Sequence, residues 1–231
     1  MTDFQREFYE NGYANDLEAK EVVAEIEALA NFTRIARAWD LIESKSGNIL
    51  DVGCGGGALL YNARNQFDNL IGVDIADSQL KKARSWAGNC GKEVVLNRCN
   101  IDTEDLPIEE SSIDVATCMV VLEFLLDPQS AVEKIVKVLK PDGVLIASVG
   151  NIASWKNRWR LLAGNDPRTT TFVGALNGGA LHFFTQTTFI QLLECSGLKV
   201  DAVSCSGRLW QVKEKWPSLL AGDIIVVARK M

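Results

Sequence analysis

Short apolar runs separated by amphipathic stretches set the rhythm of this chain from residue 49 onward. Ile49 to Asp51, Leu70 to Asp74, Glu93 to Asn97, Ile113 to Met119 and Val144 to Val149 read as strands, and apolar residues between them recur at helical spacing. That alternation predicts right-handed crossovers and an α/β fold with a doubly wound, Rossmann-like, mostly parallel sheet. Leu198 to Cys205 and Asp223 to Arg229 follow as a closing pair of strands. Helix ends are also legible. Asp127 is placed to cap a helix with Pro128 at its first position, and the apolar set Val132, Ile135, Val136, Leu139 stops at Lys140 before the turn Pro141, Asp142, Gly143. Thr185 opens another helix that ends near Gly197. Ahead of the sheet, Val22, Ile26, Leu29, Ile35, Trp39 and Ile42 keep a helical period, so residues 1–46 read as an N-terminal helical segment and 47–231 as the main domain.

One stretch breaks the rhythm. About 35 residues separate the strand ending near Val149 from the helix at Thr185, where a strand-to-helix connection usually takes about 2 to 6. Insertions at the carboxyl ends of strands in open α/β sheets overhang the ligand crevice, so 151–184 reads as a lid over the acceptor. Its Arg158 and Arg160 suit an acidic group on that acceptor.

The first strand delivers Asp51 into a glycine-rich turn, ILDVGCGGG at 49 to 57, where backbone can approach a ligand closely. GCGGGA also satisfies the dinucleotide fingerprint GxGxxG/A, with Asp74 about 20 residues on. Charge separates the readings. A pyrophosphate would sit beside the Asp51 carboxylate with no Lys or Arg between Ser46 and Ala63 to offset the repulsion. An amino group and a sulfonium would be attracted there, which favours S-adenosyl-L-methionine over NAD.

A length of 231 residues, 47% of them apolar, fits one α/β domain with a sizeable core. The net charge of −6 argues against a nucleic-acid or anionic-membrane surface. Six cysteines without a CxxC pair read as core thiols in a reducing compartment. Neither a leader pattern nor a run of about 20 apolar residues is present, so a cytoplasmic protein is expected. No ligand spacing predicts a metal.

Four segments together resemble the class I S-adenosylmethionine-dependent methyltransferases: ILDVGCGGG, GVDIADSQL at 72 to 80, NIDTEDLPIEESSIDVATCMVVLEFLLDP at 100 to 128, and VLKPDGVLIASVGN at 138 to 151. The second half, NIASWKNRWRLLAGN and ALHFFTQTTFIQLLECSGL, is similar to MetW-like and cell-envelope-associated methyltransferases. The resemblance implies a seven-stranded sheet with an antiparallel last strand and a small-molecule acceptor. The MetW-like pattern keeps open a regulatory partner protein with little turnover; the oligomeric state is not implied.

The resemblance also assigns residues. Asp51, Gly53, Cys54 and Gly55 would hold the methionine part of the cofactor and Asp74 the ribose hydroxyls. Ile75 and Ile101 would sandwich the adenine, with Asp102 on its amino group and Asp105 as the rival in the TEDLP stretch. Met119, beside Cys118, would lie near the reactive methyl. Many relatives carry His where this chain has Phe124, which implies a nonpolar wall. A general base is needed only for a protonated nucleophile. Glu123 and the single histidine, His182, are the candidates. Trp155, Trp159, Trp210 and Trp216 permit an aromatic-lined acceptor site but equally a plain core.

Overall fold

The computed structural model describes residues 7, 10, 19–28, 33–168 and 180–231. Leu29 and the Thr- and Gly-rich stretch 169–179 of the insertion lie outside them. The order is α1 (Ala19–Glu27), α2 (Arg34–Leu41), β1 (Asn48–Val52), α3 (Ala58–Ala63), β2 (Asn69–Asp74), α4 (Asp77–Ala87), β3 (Val94–Arg98) and β4 (Ile113–Met119). After a 3-10 turn at Leu122–Phe124 come α5 (Pro128–Val138), β5 (Leu139–Gly150), α6 (Trp155–Leu162), α7 (Gln186–Cys195), β6 (Leu198–Ser204), α8 (Trp210–Lys213), α9 (Pro217–Leu220) and β7 (Asp223–Lys230).

The strands form one seven-stranded sheet in the order β3-β2-β1-β4-β5-β7-β6. β1 to β5 are parallel, and β7 runs antiparallel to both β5 and β6. The central strands are buried on both faces, which is why they read as continuous apolar runs. On one face Leu50, Ala116, Leu145 and Ile224 pack on α5 and α7 through Val132, Ile135, Phe189 and Leu193. On the other, Ile49, Val115, Ile146 and Ile225 meet Val22, Ala38, Leu59, Leu60 and Leu80. The N-terminal helices therefore cover one face of the sheet. No helix among the described residues is long and apolar enough to cross a membrane.

From β1 the chain moves outward through β2 to β3, then returns to place β4 on the other side of β1. This reversal opens a crevice at the carboxyl ends of β1 and β4, where open α/β sheets bind ligands. Most caps match the pattern of the chain: the Asp127 carboxylate accepts from the Ser130 N–H at 3.0 Å, and Thr185 forms a capping box with Thr188. β5 differs from its expected start. Leu139 is already extended and pairs with Ile113, so helix α5 stops at Val138 and the strand includes the Pro141 turn.

Candidate functional site

Asp51 lies on the sheet face covered by α2 and α3, and only 4% of it is exposed. The Thr117 hydroxyl of β4 donates to it at 2.7 Å. Burial pushes its pKa from 3.8 to about 7; the Thr117 bond opposes the rise, and nearby Asp74 adds to it. A buried carboxylate in this state is stabilised by any cation that reaches it, and among the described residues none forms an ion pair with it.

The glycine turn is fixed by its neighbours. The Gly53 and Cys54 N–H groups both donate to the Val73 carbonyl, at 2.8 and 3.0 Å. Gly53 has φ +72, and a Cβ there would lie 2.3 Å from Val121 Cγ2, so the protein itself requires glycine. Gly55 differs: at φ +52, a Cβ would have no protein atom nearer than Gln79 Oε1 at 3.7 Å. The space beside Gly55 is open. Its N–H donates to Asp74 Oδ2 at 2.8 Å, and the Ala76 N–H donates to Asp74 Oδ1 at 2.9 Å. Burial raises the Asp74 pKa against the lowering effect of these backbone bonds. Asp74 thus holds the loop as well as facing the crevice.

A cavity of about 450 Å³ brings together Asp51, Gly53, Cys54, Gly55, Asp74, Ile75, Ile101, Asp102 and Met119. Asp102 Oδ1 accepts from the Leu126 and Asp127 N–H groups at 2.9 and 3.3 Å, fixing the entry to α5. Asp105 is exposed and does not line the cavity. Phe124 and Leu125 close one wall. Val120, a β-branched residue held at φ +61, lines the same wall, with its N–H on the Ser148 carbonyl at 3.0 Å. The Cys54 and Cys118 thiols are pushed well up by burial first and by Asp51 second, so both stay protonated at neutral pH.

Arg34 was not anticipated. It opens α2 behind the Thr33 cap and lines the cavity half-buried, with no hydrogen bond or ion pair to a described residue. In the sequence it stands three residues before Arg37, and no local signal separates the two. That neighbour is locked instead between Ser204 and Glu214, both at 3.0 Å, over the Trp210 ring.

Glu123 and His182 do not line the cavity. Glu123 is 2% exposed; Oε2 accepts from the Gly150 N–H at 2.8 Å, while Oε1 has no partner among the described residues. Burial raises its pKa, with the Gly150 bond and the charge of Arg34 opposing. Its backbone carbonyl accepts from the Leu181 and His182 N–H groups, tying the returning leg of the insertion to the corner after β4. His182 Nε2 lies 3.3 Å from the Leu126 carbonyl, which can only accept, so Nε2 donates, and in the neutral ring Nδ1 is then the acceptor. Arg158 and Arg160 direct their Nε–H groups to the carbonyls of Ala153 and Asp166, both at 2.7 Å, within the insertion. Trp155, Trp159 and Trp216 are exposed. Among the described residues no cluster of three metal-ligating side chains forms.

Comparison with known proteins accounts for this arrangement. Residues 50–147 match the family described as Methyltransferase domain. Over that stretch the chain is similar to the S-adenosylmethionine-dependent methyltransferases. It is 37% identical over 109 residues to the ubiquinone biosynthesis O-methyltransferase of Idiomarina loihiensis, covering 46% of this chain and 44% of that protein. The corresponding protein of Neisseria meningitidis serogroup A is 39% identical over 105 residues, 45% and 44% of the two chains. The matched region thus spans under half the length of either relative. The fold is shared with an S-adenosylmethionine-dependent methyltransferase from Mesorhizobium loti at TM-score 0.63 and 18% identity, over 89% of this chain and 100% of that one. A second such enzyme, from Aquifex aeolicus, superposes at 0.62 with 14% identity over 94% and 100%. These matches do not support the MetW-like resemblance of the second half.

The cofactor of this family is S-adenosyl-L-methionine, and the residues present fit it. Asp51 offers a buried negative charge, Arg34 a positive one and Ile75 with Ile101 an apolar pair, all lining one cavity, and the space beside Gly55 is open.

Proposed function

We propose that this chain transfers a methyl group from S-adenosylmethionine to a small-molecule acceptor by direct in-line displacement. The reading rests above all on one cavity lined by a cation-seeking buried carboxylate, an arginine with no hydrogen bond or ion pair to a described residue, and a second carboxylate at the end of β2. In this proposal Asp51 takes the ammonium and Arg34 the carboxylate of the methionine part. Asp74 accepts from the ribose hydroxyls, Ile75 and Ile101 hold the adenine, and Asp102 accepts from its amino group. Met119 and the Val120 backbone border the reacting centre. The bound cofactor supplies an activated methyl on a sulfonium; the protein aligns the acceptor behind it and excludes water.

The relatives' names favour an oxygen nucleophile. A hydroxyl acceptor must lose a proton, and two groups are proposed for that work. Glu123 has one oxygen without a partner among the described residues and a burial-raised pKa, and the neutral ring of His182, with Nε2 donating to Leu126, offers Nδ1 as an acceptor. Segment 151–184 is proposed to cover the acceptor. Calorimetry with S-adenosylmethionine, its demethylated product and NAD tests the cofactor half of this reading, and transfer of a labelled methyl group into a panel of small hydroxylated compounds tests the other. Tight NAD binding without adenosylmethionine binding would overturn it.

A further inference from the structure

Helix α6 is amphipathic in the opposite sense to a core helix. Its one buried residue, Asn157, faces the protein body: the side-chain amide donates to the Asn151 and Arg168 carbonyls at 3.2 and 2.9 Å, and its oxygen accepts from the Arg168 N–H at 2.9 Å. With about 100° per residue, the side opposite Asn157 carries Trp155, Trp159 and Leu162. They are exposed by 50%, 68% and 80%. Lys156 and Arg160 flank this apolar strip on one side and Arg158 on the other. No Asp or Glu occurs from Gly150 to Asn165, so the helix carries three positive charges on a chain whose net charge is −6.

We propose that α6 docks this protein on an anionic lipid bilayer. The three apolar side chains would enter the boundary between headgroups and acyl chains, while Lys156, Arg158 and Arg160 extend along the surface to meet headgroup phosphates. A helix of eight residues, about 12 Å long, offers too little area for a stable protein interface of about 800 Å² per partner. It is enough for a bilayer, where each basic side chain adds to the attraction. The negative charge on the rest of the chain would be repelled by the same surface, which orients the molecule with α6 toward it. A net charge averaged over the chain hides this local excess.

Flotation of the full chain with vesicles tests the proposal independently of methyl transfer. Binding is expected to vesicles of phosphatidylcholine mixed with phosphatidylglycerol at low salt, but not to phosphatidylcholine alone. Each basic residue near an anionic surface contributes about fivefold, so Lys156→Gln, Arg158→Gln and Arg160→Gln together should weaken binding about 100-fold. Trp159→Ser with Leu162→Ser should weaken it at least about tenfold through lost apolar insertion. Both variants alter exposed positions, and an unchanged circular dichroism melt verifies their fold. No flotation of the wild-type chain, or equal flotation of wild type and both variants, overturns the proposal. So does a dimer that dissociates on Trp159→Ser without any vesicle binding, which would give the face to a second copy.

Discussion

Replacing Asp51 by Asn should stabilise the empty protein and weaken its hold on the cofactor, two effects of opposite sign from one atom change. The carboxyl group titrates near 3.8 when exposed and at about 7 in the fold, a difference worth roughly 4 kcal/mol. Because the folded pKa is the higher, the folded state binds the extra proton between pH 4 and 7. Folding stability from this group is therefore greatest below pH 4 and is lost as pH rises to about 7, beyond which the whole penalty for a buried charge remains. Asn keeps the shape and an oxygen for the Thr117 hydroxyl but never ionises. At pH 8 the variant should gain up to roughly 4 kcal/mol, or about 10 °C in melting midpoint for a chain of this size, and at pH 4 the gain should vanish.

Cofactor binding moves the other way. A bound ammonium lowers the Asp51 pKa, so binding at pH 6 should release a proton, visible as a calorimetric enthalpy that depends on the buffer's ionisation heat, and the affinity of the wild type should rise between pH 6 and 8. Asp51→Asn should remove both effects and lose about 1.5 to 3 kcal/mol of affinity, the scale of a hydrogen bond to a charged group. Thermal melts of both proteins from pH 4 to 8, with and without the demethylated product, read every term. A variant no more stable than wild type at pH 8 would refute the account of the buried charge. A stabilised variant that binds the cofactor as well as wild type would refute the assigned role.

Arg34→Ala should weaken cofactor binding by roughly 1.5 to 3 kcal/mol in calorimetry, again the loss of a charged hydrogen-bond partner, and should raise the Glu123 pKa further, because the charge of Arg34 favours the Glu123 carboxylate. Asp74→Ala should cost a similar amount of affinity and also loosen the glycine turn, seen as faster amide exchange at Gly55, whose N–H it accepts at 2.8 Å. Gly55→Val should abolish cofactor binding while lowering stability by only about 1 to 2 kcal/mol from its left-handed backbone; normal binding would place the cofactor elsewhere. Glu123→Gln should slow turnover with little change in cofactor affinity if Glu123 takes the acceptor's proton, and His182→Ala should do so if that work falls to His182.

The parts of the fold that could be read from the chain are those written locally. Strand runs buried on both faces announce themselves as apolar stretches, and Asp127, Pro128 and Thr185 mark helix starts by their own chemistry. Where partners distant in sequence decide, reading fails. Leu139 becomes strand because Ile113 lies opposite, and Glu123 looks free until Gly150, far along the chain, supplies its N–H donor. Asp102 and Asp105 are equivalent in composition, and only the turn geometry separates the one beside the cavity from the one in solvent.

Arg34 shows the same limit at the site itself. The absence of any cation from Ser46 to Ala63 made an anionic ligand unfavourable at the loop, yet the fold brings a guanidinium to that cavity from a helix that precedes the first strand. The charge argument survives in altered form. One arginine lining a cavity with a buried carboxylate does not make a phosphate site, because a pyrophosphate attracted by Arg34 would still meet Asp51 and Asp74 in the same cavity. In the proposed reading, a ligand carrying both signs on one carbon, an ammonium beside a carboxylate, would satisfy Asp51 and Arg34 at once. The amino-acid end of S-adenosylmethionine has that form, whereas neither end of a dinucleotide does, and the discrimination first drawn from an absence of charge comes to rest on a pair of opposite charges.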